Sequence, residues 1–443
     1  MTNILIFGAG KSSSYLYQYL LEHAAKHNWN IIAADADIHA AQERIGKSAN
    51  GKAIQIDIFE DKHRNELIQQ ADFVISLLPP SLHIVVAKDC LSFQKNLVTA
   101  SYVSDEIQKM NKEVVQNKLT FMNEIGLDPG LDHMSAMKII HELENQQATI
   151  TAFKSYCGGL ISPASDNNPW HYKVSWNPNN IVNAGKSGAE YLQNGEEHHL
   201  TYEALFQEIE IIDVPSLGKL AAYANRDSLK YKDIYGLQHV NTLLRATFRY
   251  EEFCVAWNVI VNLGLVDNTD EMKTQHTTYS QWFASKTGFK NEKEIKEKVA
   301  IIAGSKFETA MTLLNWLGID SEEVIPKNGT FTSAQILQML IEDKWKMSKE
   351  DKDMIVMHHE FEYIYETQHK KKTSTLIVEG ENNIYTAMAK TVGLPMAIYT
   401  KLFLTGKIKD LYGVQIPMSD MVYKPILEEL ESYQVKFVES QII

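Results

Sequence analysis

Short apolar runs and amphipathic segments alternate over the first 125 residues of this chain. The run NILIFGAG ends in glycines, SSSYLYQYLLEHAAKH carries apolar residues at helical spacing, and NIIAAD ends in an acid. Three further apolar runs follow, AIQIDI, DFVISLLP and KNLVTAS, with helix-like segments between them. This alternation predicts βαβ units, and therefore an α/β fold in which residues 1–125 form a doubly wound parallel sheet of the Rossmann type.

Two glycines, Gly8 and Gly10, stand at the first strand-to-helix turn. Without a Cβ there, a pyrophosphate can approach the backbone amides at the start of the helix. The third position of the glycine-rich fingerprint is Ser13, and Asp35 ends the second strand. The pattern predicts a dinucleotide site, against the alternative of a Rossmann-like domain that binds nothing. The expected contacts here are Gly8, Gly10, Lys11, Ser12, Ser13, Asp35, Asp57 near the adenine, and Leu78 in the LLPPSLH loop.

The acid at the end of the second strand predicts which nicotinamide nucleotide is preferred. A carboxylate at Asp35, with Asp37 close behind, can accept a hydrogen bond from the ribose 2′-hydroxyl of NAD but repels the 2′-phosphate of NADP. Arg44 lies nine residues further on, in the following helix, and we expect it to be too distant to compensate. We therefore predict a preference for NAD. In the alternative, Asp35 faces solvent and Lys11 or Ser12 holds the phosphate.

Beyond residue 125 the pattern changes. ATITAFKSYCGGL, KVSW and HLTYEALFQEIEII have strand-like alternation with long connections, which predicts a mixed or antiparallel sheet. Strands are scarce from about residue 252 to 348, and strand-like runs return in HHEFEYIYET and TSTLIVEG. We expect a mixed-sheet substrate domain over 126–251 and 349–384, an inserted helical subdomain over 252–348, and residues 385–443 packed back on the first domain.

Charge and composition exclude several classes of partner. A formal charge of −13 and a pI of about 5.6 argue against nucleic acid and anionic membranes, whose binding needs a basic face. Three well-separated cysteines give neither a disulfide framework nor metal-ligand spacing. No run reaches the ~18 apolar residues of a membrane span, and MTNILIFGAG enters a strand directly. We expect a cytoplasmic protein with a small-molecule substrate and no metal.

Arginine is scarce, since only five of the 43 basic side chains are arginines: Arg44, Arg64, Arg226, Arg245 and Arg249. Lysine cannot supply the planar, two-pronged donor geometry with which arginine binds a carboxylate. Three of the five fall between residues 226 and 249, which suggests an anion site. Chance clustering or ordinary surface pairing would give the same spacing.

The stretch NEIGLDPGLDH places Asp128 and Asp132 around a Pro-Gly pair, just after the apolar run LTFM. Glycine and proline predict a tight bend at the end of a strand. Two interpretations of Asp128 are open at this point. The residue either opens the turn or caps a helix that starts near His133, or it presents its carboxylate to a site at the strand end.

Seven segments occur in order along nearly the whole chain: NEIGLDPGLDH, SYCGGL, NPWHYKVSW, NRDSLKYKDIYG, LRATFRYEEF, KKTSTL and MAKTVGLPMAI. Together they resemble the saccharopine dehydrogenases of the L-glutamate-forming type, also called saccharopine reductases. The resemblance implies a Rossmann domain, a mixed-sheet substrate and dimerisation domain and a helical domain, with the active site in the cleft between them. It also implies NAD(P)-dependent oxidation of saccharopine, with water, to L-glutamate and 2-aminoadipate 6-semialdehyde, reversed in lysine synthesis, by a homodimer.

The resemblance implies roles for individual residues. Asp128, Tyr102 and Cys157 are the ionisable groups expected to move protons among the amine, the carbinolamine and water. Because saccharopine carries three carboxylates, Arg226 with Arg245 or Arg249 is expected to supply the strongest donors. The expected substrate contacts are Ser101, Tyr102, Asp128, Arg226, Arg245, Ala246, Thr247 and Phe248. The expected cofactor contacts also include Ser101 and Ile125.

Other interpretations stay open for some of these residues. Cys157 is alternatively a small buried thiol at a strand end, or a covalent nucleophile, although the reaction needs no thioester. His83 and His133 are expected to pack or to orient other groups rather than to act as bases. His358 and His359 form a pair without further obvious ligands, so no metal is assigned.

Two other functions compete with saccharopine oxidation. A carboxynorspermidine or lysine 6-dehydrogenase would keep the nucleotide domain and change the pocket, but SYCGGL and NRDS argue against this. A cofactor-binding regulator would keep Gly8 and Gly10 without turnover, because a fold alone does not establish a function. The arginine cluster and Asp128 would then have no role.

Overall fold

The structure is a computed structural model that describes residues 1–442. In these residues the strands are β1 (Thr2–Phe7), β2 (Trp29–Asp35), β3 (Gly51–Gln55), β4 (Phe73–Ser76), β5 (Asn96–Thr99), β6 (Thr120–Met122), β7 (Thr149–Ile161), β8 (Ala189–Gln193), β9 (Glu196–Leu200), β10 (Ile209–Val214), β11 (Gly218–Ala224), β12 (Arg226–Asp227), β13 (Thr242–Arg249), β14 (Met272–Lys273), β15 (Thr330–Phe331), β16 (Asp353–Tyr365), β17 (Gln368–Glu379), β18 (Gly413–Gln415) and β19 (Val438–Ile442).

The α-helices of the same residues lie between and after these strands. They are α1 (Ser14–His27), α2 (Ile38–Ile45), α3 (Asp61–Gln70), α4 (His83–Ser92), α5 (Asp105–Lys109), α6 (Asn111–Gln116), α7 (Leu131–Asn145), α8 (Pro178–Asn183), α9 (Tyr202–Leu205), α10 (Tyr231–Ile234), α11 (Glu251–Asn262), α12 (Tyr279–Thr287), α13 (Glu292–Ala303), α14 (Phe307–Leu317), α15 (Ser333–Lys344), α16 (Ala387–Leu404) and α17 (Asp420–Glu431).

The first compact unit, here called the parallel-sheet unit, comprises residues 1–142 and 377–437. Its sheet has the order β18-β6-β5-β4-β1-β2-β3, and every neighbouring pair is parallel. Residues 4–7 of β1 and the whole of β4 are buried, as expected for strands covered by helices on both faces. The predicted doubly wound parallel sheet is confirmed.

Helix α16 packs closely on α1 within this unit. A Cβ added to Gly393 would lie 2.8 Å from the backbone nitrogen of Leu16, so the two helices approach at backbone distance. The Ser14 hydroxyl donates to the Ile384 carbonyl at 2.8 Å, and Tyr19 hydrogen-bonds Glu429 of α17. Residues 377–437 therefore complete the helical layer that covers one face of the parallel sheet, whereas β19 belongs to the other unit.

The second compact unit, here called the mixed-sheet unit, comprises residues 143–376 and 438–442. Its main sheet has the order β10-β11-β13-β7-β16-β17-β19, and β8, β9 and β12 extend it at one side. The β13–β7 pair is parallel, while β7 pairs with β16 and β11 with β13 in antiparallel register. This is the mixed sheet that the strand-like segments beyond residue 125 predict.

Helices α11 to α15 cover an aromatic core in the mixed-sheet unit, within the stretch predicted to be helical. Trp170, Trp257, Trp282 and Trp345 are each no more than 1% exposed. The Trp170 and Trp345 rings meet edge to face at 5.1 Å, a geometry that adds to the hydrophobic gain of burial. Capping boxes start two of these helices, α12 at Thr278 and α15 at Thr332, because side chains there satisfy otherwise unpaired amides.

One predicted strand of this unit was wrong, and a second segment is a strand only at its two ends. The KVSW segment is a loop: the Val174 amide donates to the Trp345 carbonyl at 2.8 Å, and Lys173 forms a 2.7 Å ion pair with Asp351. The segment HLTYEALFQEIEII contains the end of β9, the short helix α9 and the start of β10. In KVSW tertiary contacts outweigh the alternating pattern, which alone does not determine a strand.

Among the helices of residues 1–442, none is both long enough and apolar enough to cross a lipid bilayer.

Candidate active site

All strands of the parallel-sheet unit run in one direction, so their carboxyl ends lie along one edge of the sheet, here called the strand-end edge. Ligands of open α/β sheets bind at this edge. Five predicted contacts follow or end these strands: Gly8 after β1, Asp35 at the end of β2, Leu78 after β4, Ser101 after β5 and Ile125 after β6. The structure therefore brings the predicted cofactor residues of this unit to a common edge.

The first loop of this edge has the geometry of a phosphate-binding turn. Gly8 has φ +104°, and an added Cβ would lie 3.0 Å from the Leu77 carbonyl oxygen, so a glycine is required. A Cβ added to Gly10 would meet no atom within 4 Å, which leaves open space beside the loop. A 3₁₀ turn over Lys11–Ser13 then leads into α1, whose amino terminus attracts negative charge.

Two side chains hold this loop in place. The buried Tyr17 hydroxyl, on α1, donates to the Gly8 carbonyl at 3.0 Å, and burial raises the pKa of this phenol. The Ser13 hydroxyl donates to the Gly10 carbonyl at 2.7 Å. Sequence reasoning missed Tyr17, because a tyrosine in an amphipathic helix gives no sign of the carbonyl that it binds.

The Asp35 carboxylate lies against the same loop. Its Oδ2 accepts from the Ala9 amide at 2.7 Å, and its Oδ1 accepts from the Asp37 amide at 2.8 Å. The Asp37 side chain caps α2, accepting from the His39 amide at 2.9 Å. Asp35, unlike Asp37, is therefore fixed beside the glycine-rich turn.

The expectation that no arginine lies near this turn was wrong. Arg44, on α2, donates from Nε to the Ser13 hydroxyl at 3.0 Å and from a terminal nitrogen to the Gly10 carbonyl at 3.1 Å. Helix α2 is only eight residues long and carries its last turn back to the loop. A guanidinium therefore lies on the loop that Asp35 also contacts, although burial lowers its pKa.

The other predicted cofactor residues of this edge differ in exposure. Asp57 is exposed, and its Oδ1 accepts from the Phe59 amide at 2.9 Å in a turn after β3. Leu78 is half-buried, whereas Ile125 is fully buried and its amide donates to the Thr99 carbonyl at 3.4 Å. Lys11 is exposed and Ser12 half-buried in the first loop.

Two of the three predicted proton-transfer groups are in contact. The Tyr102 hydroxyl donates to Asp128 Oδ1 at 3.0 Å, and both residues are half-buried. The bond between Asp128 and Pro129 is cis. Asp132 accepts from the Gly130 amide at 2.5 Å at the start of α7. Asp132 therefore supports the turn, and Asp128 directs its carboxylate to Tyr102.

A buried acid–imidazole pair supports the segments that carry Tyr102 and Asp128. Glu124 accepts from the Val103 amide at 2.9 Å through Oε1 and lies 2.8 Å from His133 Nε2 through Oε2. Glu124 is 6% exposed and His133 is fully buried. Sequence reasoning missed Glu124, although its position directly after β6 was a usable signal.

His83, for which the sequence predicts a packing or orienting role, occupies the first position of α4. Its Nδ1 lies 2.8 Å from the Ser76 hydroxyl and its Nε2 lies 2.8 Å from the Ser101 hydroxyl. Burial lowers the pKa of His83 to about 4, so the ring is neutral at pH 7. The expected orienting role for His83 has a definite neighbour, the predicted ligand contact Ser101.

The remaining predicted residues lie in the mixed-sheet unit. Cys157 on β7 is 7% exposed and pairs in register with Thr247 on β13. Paired residues of neighbouring strands point to the same face, and alternate residues point to opposite faces. Ala246 and Phe248 therefore point away from Thr247, and the Phe248 ring stacks on Tyr156 at 5.2 Å. The side chains of the predicted 246–248 contact set do not share one face.

The three clustered arginines have different environments. Arg226 is exposed, with a left-handed backbone of φ +55°. Arg245 is buried, with its guanidinium 4.3 Å from the centre of the Tyr231 ring. Arg249 is also buried and donates to the Phe248 carbonyl at 2.7 Å, while its Nε has no hydrogen-bond partner in the described chain. Arg226 is the one that is accessible to a ligand in this unit.

Two family profiles match the chain. The saccharopine dehydrogenase NADP binding domain matches residues 4–122, and the saccharopine dehydrogenase C-terminal domain matches residues 126–435. The alpha-aminoadipic semialdehyde synthase of Arabidopsis thaliana is 33% identical over 99% of this chain and 45% of its own length. The mitochondrial enzyme of that name from Rattus norvegicus is 34% identical over 98% of this chain and 47% of its length. The chain spans about half the length of these two relatives.

A third relative matches from end to end. The saccharopine dehydrogenase [NADP(+), L-glutamate-forming] of Saccharomyces cerevisiae is 31% identical over 97% of this chain and 96% of its own length. The solved apo structure of a histidine-tagged saccharopine dehydrogenase (L-Glu forming) from the same yeast superposes with a TM-score of 0.89, at 29% identity, over the whole of both chains. With both profiles and a full-length relative in agreement, this chain belongs to the saccharopine dehydrogenase family.

Proposed function

We propose that the chain is an NAD(P)-dependent saccharopine dehydrogenase of the L-glutamate-forming type. It oxidises saccharopine, with water, to L-glutamate and 2-aminoadipate 6-semialdehyde, and it catalyses the reverse reductive condensation. The observation that carries this proposal is the contact between Tyr102 and Asp128 at the strand-end edge, which supplies an acid–base pair beside the predicted cofactor loop. The printed names of the full-length fungal relatives support the same reaction.

The residues at the strand-end edge fit a nicotinamide nucleotide. The open space beside Gly10 and the amino terminus of α1 would receive the pyrophosphate, and Asp35 would bind the adenosine ribose. When bound, the cofactor accepts a hydride from the carbon beside the secondary amine of saccharopine. Tyr17 and Ser13 keep the loop carbonyls turned away from the phosphates by bonding them within the protein.

Side chains of the protein, rather than the cofactor, transfer the protons in this reaction. The secondary amine must lose its proton before oxidation, and the resulting imine must then gain a water molecule and break. A carboxylate in contact with a phenol can accept and return protons in these steps, because either group can be the donor. We assign this work to Asp128 and Tyr102, with Cys157 as the third ionisable group.

Substrate recognition needs donors for three carboxylates. Arg226 is our first choice, because an exposed guanidinium offers a planar fork to a carboxylate. Arg245, Ala246, Thr247 and Phe248 line the same strand of the mixed-sheet unit, and Ser101 lies after β5. Backbone groups of β13 are the expected contacts for Ala246 and Phe248, whose side chains turn to the opposite face from Thr247.

We further propose that NAD is preferred over NADP. The proposal depends on Asp35, whose fixed carboxylate would accept from a ribose hydroxyl and repel a 2′-phosphate. Two observations oppose it. Arg44 brings a positive charge to the same loop, and the matching profile and the fungal relatives carry NADP in their printed names. The cofactor comparison described in the Discussion decides between the two.

We also propose that the protein forms a homodimer and that it is located in the cytoplasm. The family resemblance supports the dimer. None of Cys90, Cys157 and Cys254 forms a disulfide bond in the described chain, which suits a reducing compartment. Light scattering on the purified protein tests the dimer, with a mass of one chain as the contrary result. Cell fractionation tests the compartment, where a mitochondrial location, as in the name of the rat relative, would contradict the proposal.

One assay tests the proposed reaction. Purified protein is mixed with NAD or NADP and with saccharopine, lysine or carboxynorspermidine, and the absorbance of reduced nicotinamide is followed. We expect reduction with saccharopine and release of L-glutamate. Reduction with lysine or carboxynorspermidine alone would show a different dehydrogenase, and cofactor binding without any turnover would indicate a regulator.

A further inference from the structure

A buried polar chain connects two neighbouring strand ends of the parallel-sheet unit. His83 stands between Ser76, the last residue of β4, and Ser101, two residues beyond β5. Ser76 is fully buried and His83 is 3% exposed, whereas Ser101 is half-buried at the strand-end edge. Of these three hydrogen-bonded residues, only Ser101 can therefore reach a ligand.

Because the imidazole is neutral, the hydrogen bonds from Ser76 through His83 to Ser101 can run in one of two directions. A neutral ring donates through one nitrogen and accepts through the other. Either Ser76 donates to Nδ1 and Nε2–H donates to Ser101, or Ser101 donates to Nε2 and Nδ1–H donates to Ser76. The two arrangements differ in what Ser101 offers at the edge: a free O–H proton in the first and only lone pairs in the second.

Ser76 selects the first arrangement. In the described chain its hydroxyl has one side-chain or backbone partner, Nδ1 of His83. If Nδ1 carried the proton, the buried Ser76 O–H would lack an acceptor, which is costly. With Ser76 as the donor, its proton is satisfied and Nε2 carries the ring proton. Nε2 is closer to the Ser101 oxygen, at 2.8 Å, than to the Thr99 oxygen, at 3.1 Å. The Thr99 hydroxyl also lies 3.4 Å from Nδ1, and in this arrangement it donates to Nδ1 together with Ser76.

We propose that His83 is a positioning residue: its Nε2–H binds the Ser101 oxygen and thereby turns the Ser101 proton toward an acceptor oxygen on a bound ligand. That oxygen belongs to the nicotinamide carboxamide or to a substrate carboxylate. The backbone supports the aim of the hydroxyl, since the Ser101 amide donates to Thr99 Oγ1 at 3.3 Å and its carbonyl accepts from the Glu124 amide at 3.1 Å. The inference rests on the proposed function for the identity of the substrate.

Two substitutions of His83 separate a positioning role from packing. Glutamine can place an amide N–H near the position of Nε2, whereas leucine fills the space without a donor. We expect His83→Leu to weaken binding of one ligand about tenfold and His83→Gln to stay within about threefold of the wild type. If His83→Leu does not fold, His83→Asn, which reaches Ser76 but not Ser101, takes its place with the same expected loss.

A double-mutant cycle of His83→Leu with Ser101→Ala measures a coupling in ligand binding that a purely packing role of His83 would not produce. The measured quantities are the Kd of NADH and NADPH by fluorescence and, during turnover, KM for saccharopine apart from kcat. A change in Kd assigns the acceptor oxygen to the cofactor, and a change in KM for saccharopine alone assigns it to the substrate. We expect the double variant to bind no more weakly than Ser101→Ala alone, because His83 acts through Ser101.

Three results would overturn the proposal: losses that multiply in the double variant, a lower Tm in His83→Leu with unchanged Kd and KM, or no effect of Ser101→Ala on either ligand. His141→Leu is the matched control, since His141 also binds a hydroxyl, that of Tyr423 at 2.9 Å, but lies in the third turn of α7. If the wild-type protein does not oxidise saccharopine, the proposed function fails. The double-mutant cycle measured on nucleotide binding still tests the positioning role of His83. In that case an unchanged nucleotide Kd in Ser101→Ala would reject the positioning role.

Discussion

The Tyr102 hydroxyl donates to Asp128 Oδ1 across 3.0 Å, from the segment after β5 to the turn after β6. A phenol and a carboxylate thus share one hydrogen bond at the strand-end edge. A phenol that donates to a carboxylate stabilises its charged form, which is the form that can take a proton from an amine or from water. We therefore expect the two residues to act together as one acid–base unit.

Replacement of Asp128 by asparagine tests its catalytic role. Asp128→Asn keeps the size of the side chain but cannot accept a proton, so kcat for saccharopine should fall by about 10²–10⁴-fold. The Tm and the Kd of NADH should stay at wild-type values. Asp132→Ala is the comparison, because it removes the acceptor of the Gly130 amide and should lower the Tm. Full activity in Asp128→Asn would return that residue to a turn-forming role.

Tyr102→Phe should lower kcat by about tenfold to a hundredfold, the effect of one hydrogen bond to a charged group. If the phenol acts through the Asp128 carboxylate, the variant with both Tyr102→Phe and Asp128→Asn should be no slower than Asp128→Asn alone. Stopped-flow measurement of a single turnover isolates the chemical step. Rates that multiply in the double variant would mean that the two residues act in separate steps.

The parts of the site that come from one strand-to-helix turn could be read from the sequence. Gly8 and Gly10 occupy the predicted loop, and Asp35 ends β2 as the apolar run NIIAAD indicates. These positions depend on backbone geometry within a few residues, which leaves a local signature. The same holds for the parallel sheet, whose order of elements appears in the alternation of patterns.

Contacts between distant segments left no such signature. The sequence spacing of Arg44 placed it far from the glycine-rich turn, and only the short length of α2 returns its guanidinium to the Gly10 carbonyl. In the sequence, His83 is a single histidine shortly after a pair of prolines, and nothing indicates its partner. In the fold, the end of β5 brings the Ser101 hydroxyl to 2.8 Å from its Nε2. The KVSW loop alternates like a strand, and its shape depends on Trp345 and Asp351. Each case needed the fold before the partner could be known.

Arg226→Lys tests the predicted carboxylate contact. Lysine keeps the charge and has a similar cost in the left-handed backbone of φ +55°, but it loses the two-pronged geometry. We expect KM for saccharopine to rise about tenfold to a hundredfold, with an unchanged Kd for NADH. Lys219→Ala, which removes an exposed charge from β11 of the same unit, should leave both constants unchanged. An unaltered KM in Arg226→Lys would exclude the contact.

Glu360 should make the stability of the protein depend on pH. Burial raises the pKa of this carboxyl group, but hydrogen bonds from His358 and Lys371 outweigh burial and lower it to about 2. Because the folded pKa lies below the unfolded value, this group stabilises the fold by about 3 kcal/mol above about pH 5. The contribution should disappear as the pH falls toward about 2.

Urea unfolding of Glu360→Gln at several pH values measures that contribution. The gap in unfolding free energy between wild type and variant should be largest at neutral pH and should shrink as the pH falls below about 5. Glu362→Gln, exposed two residues along β16, should unfold like the wild type throughout. A gap for Glu360→Gln that does not change with pH would show that the glutamate stabilises the fold by packing alone.

We expect the choice between NAD and NADP to depend on the competition between Asp35 and Arg44 at one loop. Asp35 is held by the Ala9 amide at 2.7 Å, and Arg44 is held by the Gly10 carbonyl at 3.1 Å, so neither charge needs to move before a nucleotide binds. A 2′-phosphate would meet the carboxylate and the guanidinium together, whereas a 2′-hydroxyl can donate to the carboxylate without repulsion.

We therefore expect kcat/KM of the wild-type protein to be higher with NAD than with NADP. Asp35→Ser should raise kcat/KM with NADP by at least about tenfold, since it removes the like charge. Arg44→Ala, as the opposing variant, should lower NADP use further and change NAD use less. A wild-type preference for NADP, or no gain in Asp35→Ser, would show that Arg44 rather than Asp35 reads the ribose substituent.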